Sequence, residues 1–204
     1  VEHSRIPVIK HYKGICHTYV DADADVEVAL SVCYNAKVQR PAACNATEIL
    51  LVHRDIAGRF LPRMAAMFRS AGVEMRTCPR ARAMIPDSIA AAETDWDTEF
   101  LALIIAIKIV DSLDEAIDHI NRHGSKHSDA IITRRTEAAV RFFAAVDSAC
   151  LYHNASTRFT DGGEFGLGAE IGISTDKFHA RGPMGLEELT TYKYLIHGQG
   201  HVRT

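Results

Sequence analysis

Residues 101–110 read LALIIAIKIV, ten positions with one charge, Lys108. Apolar side chains facing both ways are what a strand buried on both sides of a parallel sheet requires. Directly after it, Ser112-Leu113-Asp114-Glu115 is a capping box. The serine hydroxyl and the glutamate carboxylate satisfy N–H groups that a helix start leaves free. The helix runs to Arg122, and Gly124 ends it. Asp129 to Thr133 is again a strand. Strand, helix, strand in so short a span predicts a crossover unit, and with it a parallel sheet covered by helices.

The same alternation extends both ways. Upstream, Gly14–Val20 reads as a strand and Asp23–Val38 as a helix, with Val26, Ala29, Leu30 and Cys33 at helical spacing. Glu48–His53 is a strand, and Asp55 caps a helix to Ser70 that Gly72 stops. Val73–Arg76 is a short strand, and Pro79–Asp97 reads as loop with a short helix. Downstream, Glu137–Val146 is a helix and Ala149–His153 a strand. Glycines 162, 163, 166, 168, 172, 182 and 185 then mark a loop able to bring backbone near a ligand. Leu186–Ile196 reads as a short helix and a closing strand.

A chain of 204 residues with 47% hydrophobic and 24% charged residues builds a core, which excludes a disordered tail, a collagen-like fibre and a coiled coil. A net charge of −3 offers no electrostatic case for nucleic acid or an anionic membrane. The longest apolar run, Leu101–Ile107, falls far short of a membrane span. No basic and apolar leader opens the chain. The first residue is Val1, and Ile6–Ile9 already head into a strand, so the beginning of a larger protein is expected upstream. Five widely spaced cysteines without a CxxC pair predict free thiols in a reducing cytoplasm.

Of these, Cys44 stands out. Pro41 keeps the preceding helix from continuing, so Cys44 falls in a turn between helix and strand. A nucleophilic thiol needs such a place, with positive charge nearby to lower its pKa; Arg40 and Lys37 are candidates. The alternative is a small buried hydrophobe. Cys16, Cys33 and Cys150 lie on apolar faces and read as packing. Cys78 reads as a surface-loop thiol without a partner. His119, His123 and His127 are spaced by four, but Gly124 interrupts the helix, so a solvated helix end outweighs a metal site and no metal ligand is assigned. The run from Gly163 to Glu170 is not GxGxxG between strand and helix, so a dinucleotide loop is excluded there. Asn154 to Arg158 follow a buried strand, where α/β folds place their sites. Arg158 either clamps a carboxylate or phosphate with its two-pronged guanidinium or is an exposed turn residue.

Five strings together resemble the gamma-glutamyl phosphate reductase family. They are GICHTYVD from Gly14, QRPAACNATE from Gln39, HSDAIIT from His127, NASTRFTDGGEFGLGAEIGIST from Asn154 and HARGPMGLEELTTYKY from His179. The family is similar to the aldehyde dehydrogenases, and the resemblance implies a C-terminal half with an aldehyde dehydrogenase-like α/β catalytic domain. It implies residues 1–43 as the end of a nucleotide-binding domain and 44–153 as the catalytic domain. Residues 154–204 would be a substrate loop, a return to the cofactor domain and an oligomerisation strand near Tyr192–Ile196.

By the same resemblance Cys44 is the nucleophile that forms a thioester with L-glutamyl 5-phosphate. NADPH then reduces it to glutamate 5-semialdehyde in proline biosynthesis. The backbone N–H of Cys44 is an oxyanion donor; the superfamily's asparagine donor would lie upstream. Asn154, Ser156, Thr157 and Arg158 match the substrate loop, with Arg40 either assisting phosphate departure or merely bracing the turn. Glu99 and Phe100 resemble a segment whose acid holds the nicotinamide ribose. A cytoplasmic homo-oligomer is implied, with possible association with glutamate kinase. The alternatives are the reductase portion of a bifunctional pyrroline-5-carboxylate synthase and a catalytically silent oligomerisation module.

Overall fold

A computed structural model describes residues 1–177 and 180–204, so His179, which opens the last resembling string, lies outside the described residues. The chain forms β1 (Cys16–Val20), α1 (Val26–Val38), β2 (Thr47–His53), α2 (Arg54–Ser70), β3 (Glu74–Thr77), α3 (Pro79–Arg82), β4 (Ile89–Ala90), β5 (Ile104–Val110), α4 (Leu113–His123), β6 (Ser128–Ile132), α5 (Thr136–Ala145), β7 (Cys150–His153), β8 (Gly172–Ser174) and β9 (Gly182–Met184). Short 3₁₀ turns cover Glu93–Asp97, Thr157–Phe159 and Glu187–Leu189.

β1 to β7 make one sheet in the order β4-β3-β5-β2-β1-β6-β7, and every pairing in it is parallel. The period of two sorts each strand between two cores. Leu50, Val52, Ile105 and Ile107 join α1 and α2 on one face. Ile49, Leu51, Ala106 and Val110 join α4 and α5 on the other. The helices change face because the chain turns back: β5 inserts between β2 and β3, and α4 carries the chain across to β6. This is the parallel α/β sheet that LALIIAIKIV predicts.

Local sequence explains the helix ends. The Asp25 carboxylate accepts from the N–H of Glu27 at 2.9 Å and of Val28 at 3.2 Å, starting α1 later than Asp23. Ser112 accepts from Glu115 N at 3.1 Å, while the Glu115 carboxylate accepts from Asp111 N at 2.7 Å, one residue earlier than the simple box. His53, not Asp55, caps α2 by accepting from Asp55 N at 3.2 Å. Gly72 stops α2 in the left-handed region at φ 74°.

Other expectations change. The boundary expected at 43/44 falls inside the sheet, because β1 pairs with β2 on one side and β6 on the other. The 79–97 region contributes a two-residue edge strand, and the glycine-dense stretch contains the antiparallel β8–β9 pair. Ile6–Ile9 and Tyr192–Ile196 form no strand: a strand needs a neighbour to complete its ladder, and among the described residues none runs beside them. Tyr192, Tyr194, Leu195 and Ile196 are left exposed.

Candidate active site

α1 ends at Val38, and two turns carry the chain over Pro41 into β2, with Ala43 N–H donating to Arg40 O at 3.1 Å and Ala46 N–H to Ala43 O at 2.9 Å. Cys44 stands on these turns, partly buried, as its position after Pro41 predicts. Gly14 lies directly against it. A β-carbon on residue 14 would overlap the Cys44 carbonyl oxygen, so only glycine permits this approach. The same carbonyl accepts from the Cys16 thiol at 3.3 Å.

This places Cys44 at the amino ends of the strands, not at the carboxyl ends where α/β sites are expected. Gly14 precedes β1, Cys44 precedes β2 and His127 precedes β6. Asn154 lies at the opposite edge. Its side chain accepts from Thr133 N at 3.0 Å and donates to Thr133 O at 2.9 Å, just past the end of β6. A five-residue strand separates the two edges by about 15 Å. The loop from Asn154 then runs back across the sheet. Thr157 is buried, with its hydroxyl 3.3 Å from that of Thr47, and Ser156 caps the 3₁₀ turn by accepting from Arg158 N at 3.3 Å. Arg158 reaches the thiol's turn. Its Nε donates to Gln39 Oε1 at 2.8 Å and a terminal nitrogen donates to Asn45 Oδ1. Asn45, nearly buried, donates in turn to Thr160 O at 2.7 Å. Of the four loop candidates, Arg158 alone approaches Cys44; Asn154, Ser156 and Thr157 hold the loop's shape.

The electrostatics differ from a thiol flanked by free cations. Lys37 turns inward and donates to Glu48 Oε2 at 2.6 Å, both side chains wholly buried, so its charge is spent on the carboxylate. Burial raises the Cys44 thiol above its ordinary value, and the carboxylates of Glu170 and Glu99 raise it further; its own N–H and Arg158 pull the other way. Arg158 is itself lowered, first by burial and then by Arg40 nearby. Arg40 itself is exposed at the head of the turn. Glu99 lies near enough to the thiol for its carboxylate to raise it, and an acid is the chemical type that suits the ribose hydroxyls of a nicotinamide nucleotide. Phe100 fits it less well, since its ring is covered by the Arg76 guanidinium at 5.0 Å.

Two residues that sequence reasoning did not bring to the site are there. One ring nitrogen each of His11 and His127 lies with Cys44 Sγ in a group whose members are all within 4.8 Å of one another. His127 is fully buried and held down to about 4, by burial and then by His11. His119 does not join them, nor is it a solvated helix end. It is 5% exposed, its ring 5.5 Å from those of His17 and Trp96, and burial holds its pKa down to about 2. Cys16, Cys33 and Cys150 are buried as expected. Cys78 is tied to the sheet, accepting from Ile109 N–H at 3.4 Å, and is no free loop thiol.

No family model matches the chain. The chain is 56% identical over its whole length to a gamma-glutamyl phosphate reductase of Halothermothrix orenii and 57% identical to one of Moorella thermoacetica. It spans about half of the relatives it matches, 49% of each of these. A crystal structure of gamma-glutamyl phosphate reductase from Thermotoga maritima superposes on the whole chain with a TM-score of 0.94 at 52% identity, over 49% of its own length. A lactaldehyde dehydrogenase from Escherichia coli superposes on 72% of the chain, and 40% of its own, with a TM-score of 0.57 at 16% identity. That likeness is one of fold: the sheet is of the aldehyde dehydrogenase type.

Proposed function

We propose that this chain, which matches gamma-glutamyl phosphate reductases along its whole length and spans about half of theirs, carries the nucleophile and the anion clamp of an acyl phosphate reductase. The observation that carries this reading is the meeting of Cys44 and Arg158. The thiol stands on a tight turn, and the guanidinium from a distant loop is bonded to the adjacent Asn45.

The reaction follows from these groups. The Cys44 thiol loses its proton, with one ring nitrogen each of His11 and His127 within 4.8 Å of the sulfur to accept it. The sulfur attacks the acyl carbon of L-glutamyl 5-phosphate, the carbon–oxygen bond to phosphate breaks, and inorganic phosphate leaves. A thioester remains on Cys44. The Cys44 N–H is a donor for the oxyanion that forms at this carbon. Arg158 holds the substrate's phosphate or carboxylate by a two-pronged bond. NADPH, when bound, supplies the hydride that takes the thioester to the aldehyde level; Glu99 is the residue we assign to its ribose. The hemithioacetal then collapses, returning the sulfur and releasing glutamate 5-semialdehyde.

We read this chain as the C-terminal half of the polypeptide, with residues 154–204 turning back toward the remainder. The exposed Tyr192, Tyr194, Leu195 and Ile196 support a covering surface outside this chain. Free cysteines favour a reducing, cytoplasmic setting. The test is phosphate-dependent NADP reduction by the full-length polypeptide with the semialdehyde. Cys44→Ala should lower turnover by roughly a thousandfold or more. Turnover that survives the substitution overturns the reading.

A further inference from the structure

His11, Cys44 and His127 stand ahead of β1, β2 and β6, and the parallel sheet alone brings them together. One potential ligand atom from each lies within 4.8 Å of the other two. We propose that these three side chains form a binding site for a single divalent cation of the zinc class, which closes the active site reversibly by occupying the sulfur.

The hydrogen bonds around the imidazoles carry the argument. His127 is completely buried, yet its Nε2 has no hydrogen-bond partner among the described residues. A buried ring nitrogen without a partner is costly, and a cation would satisfy it. The other nitrogen is anchored, with Nδ1 2.9 Å from Ser128 Oγ, which lies 2.6 Å from Thr160 Oγ1. His11 is arranged alike. Its Nδ1 is 3.3 Å from Lys13 O, and a carbonyl only accepts, so Nδ1 carries the hydrogen and Nε2 the lone pair. Metal-bound histidines are held in this way, one nitrogen oriented by an outer partner and the other presented to the ion.

The donor set and its spacing suit zinc. Two imidazole nitrogens and one thiolate leave a fourth tetrahedral position for water or an anionic ligand. Bonds of about 2.1 Å to nitrogen and 2.3 Å to sulfur put ligand atoms about 3.5 Å apart. His11 lies in the stretch before β1 without regular structure, so it can make up the difference by moving inward. Glu99 and Glu170 add negative charge near the sulfur. On binding, the thiol proton passes to solvent and a sulfur–metal bond forms; the coordinated sulfur no longer attacks an acyl carbon. Releasing the metal restores it.

The binding site rests on three side chains and the closing of the active site rests on the proposed reaction, so the test reads the thiol itself and not turnover. The full-length polypeptide is treated with limiting iodoacetamide, with and without one equivalent of zinc chloride, and Cys44 and Cys78 are followed by peptide mapping. Zinc should slow labelling of Cys44 by about tenfold or more and leave Cys78 within about twofold. In His11→Ala, and in His11→Asn as a second variant, the ratio with and without zinc should fall to about twofold or less. Cobalt chloride should give a thiolate-to-metal charge-transfer band in the parent and not in either variant. Equal protection of Cys44 in the parent and both variants, or no protection in the parent, overturns the proposal, whatever the turnover assay shows.

Discussion

The α-carbon of Gly14 packs so tightly against the Cys44 carbonyl that a single added methyl group would occupy the oxygen's place. The two residues precede neighbouring strands, β1 and β2, so the contact sets the height of the thiol above the sheet edge. Gly14→Ala must move the turn that carries the sulfur. A loss of about 1–3 kcal/mol is expected from overpacking, with turnover of the full-length enzyme falling by more than the stability change alone explains. Gly58→Ala is the control: a β-carbon there meets nothing within 4 Å, and α2 should gain about 0.5–1 kcal/mol. Urea unfolding of both variants beside steady-state kinetics decides it; a Gly14→Ala enzyme with parental stability and turnover would refute the contact.

Arg158 and Asn154 belong to one loop but to opposite edges of the sheet, and kinetics should separate them. Arg158→Lys keeps the charge but loses the fork, so KM for the acyl phosphate should rise about tenfold, equivalent to about 1.4 kcal/mol. Asn154 holds Thr133 from a left-handed conformation at φ 54°. Asn154→Gly keeps that conformation and should cost about 1–2 kcal/mol of stability, leaving KM unchanged. The opposite pattern would move the substrate to the carboxyl edge.

Lys37 and Glu48 meet at 2.6 Å with no exposure of either side chain, and Glu48 also accepts from Leu101 N–H at 3.2 Å. Burial pushes the Glu48 carboxyl up to about 7 even with the ammonium beside it. Removing one partner strands the other. Lys37→Met or Glu48→Gln alone should each cost about 3–5 kcal/mol, and the double variant less than the sum. Strict additivity in denaturant titrations would mean that the two groups do not depend on each other.

His119 predicts an acid-side loss of stability. Burial depresses its pKa from 6.5 to about 2, and His17, His123, Lys108 and Arg122 surround it. The unfolded chain therefore takes up a proton below about pH 6.5 that the folded chain refuses. Stability from this group is full above that pH and declines on acidification by up to about 1.4 kcal/mol per unit. Between pH 7 and 5 the parent should lose about 2 kcal/mol relative to His119→Phe, which keeps an aromatic ring against Trp96. Parallel pH profiles for the two proteins would exclude the effect.

The part of the fold that the amino-acid sequence makes plain is the part decided locally. LALIIAIKIV, the box at Ser112 and the stop at Gly124 each act within a few residues, and β5, α4 and β6 follow them closely, β5 starting only at Ile104 because Leu101 turns the chain at φ 53°. β4 was hidden because a two-residue edge strand leaves no alternation to read. The order of the sheet was hidden too, since insertion of β5 between β2 and β3 is a tertiary choice.

The site was legible one side chain at a time. Cys44 shows itself by Pro41 and the turn, and Arg158 by its place after a buried strand. Lys37 misled because a lysine on a helix reads as a solvated cation, while its partner is in the next strand; a glutamate heading the apolar run Ile49–Val52 was the available hint. His11 carries no pattern at all, and the spacing of His127 by four from His123 points along the helix rather than to the sulfur. They become neighbours of the sulfur only through the pairing of β1 with β2 and β6.

That dependence on distant pairing has a consequence for the nascent chain. While only the first two strands have emerged from the ribosome, residue 44 is an ordinary cysteine, with neither the second imidazole nor the guanidinium beside it. Its special surroundings arrive later, His127 with β6 and Arg158 with the turn after β7. The protein thus arms itself as a closing act of maturation, and an incompletely built copy stays harmless.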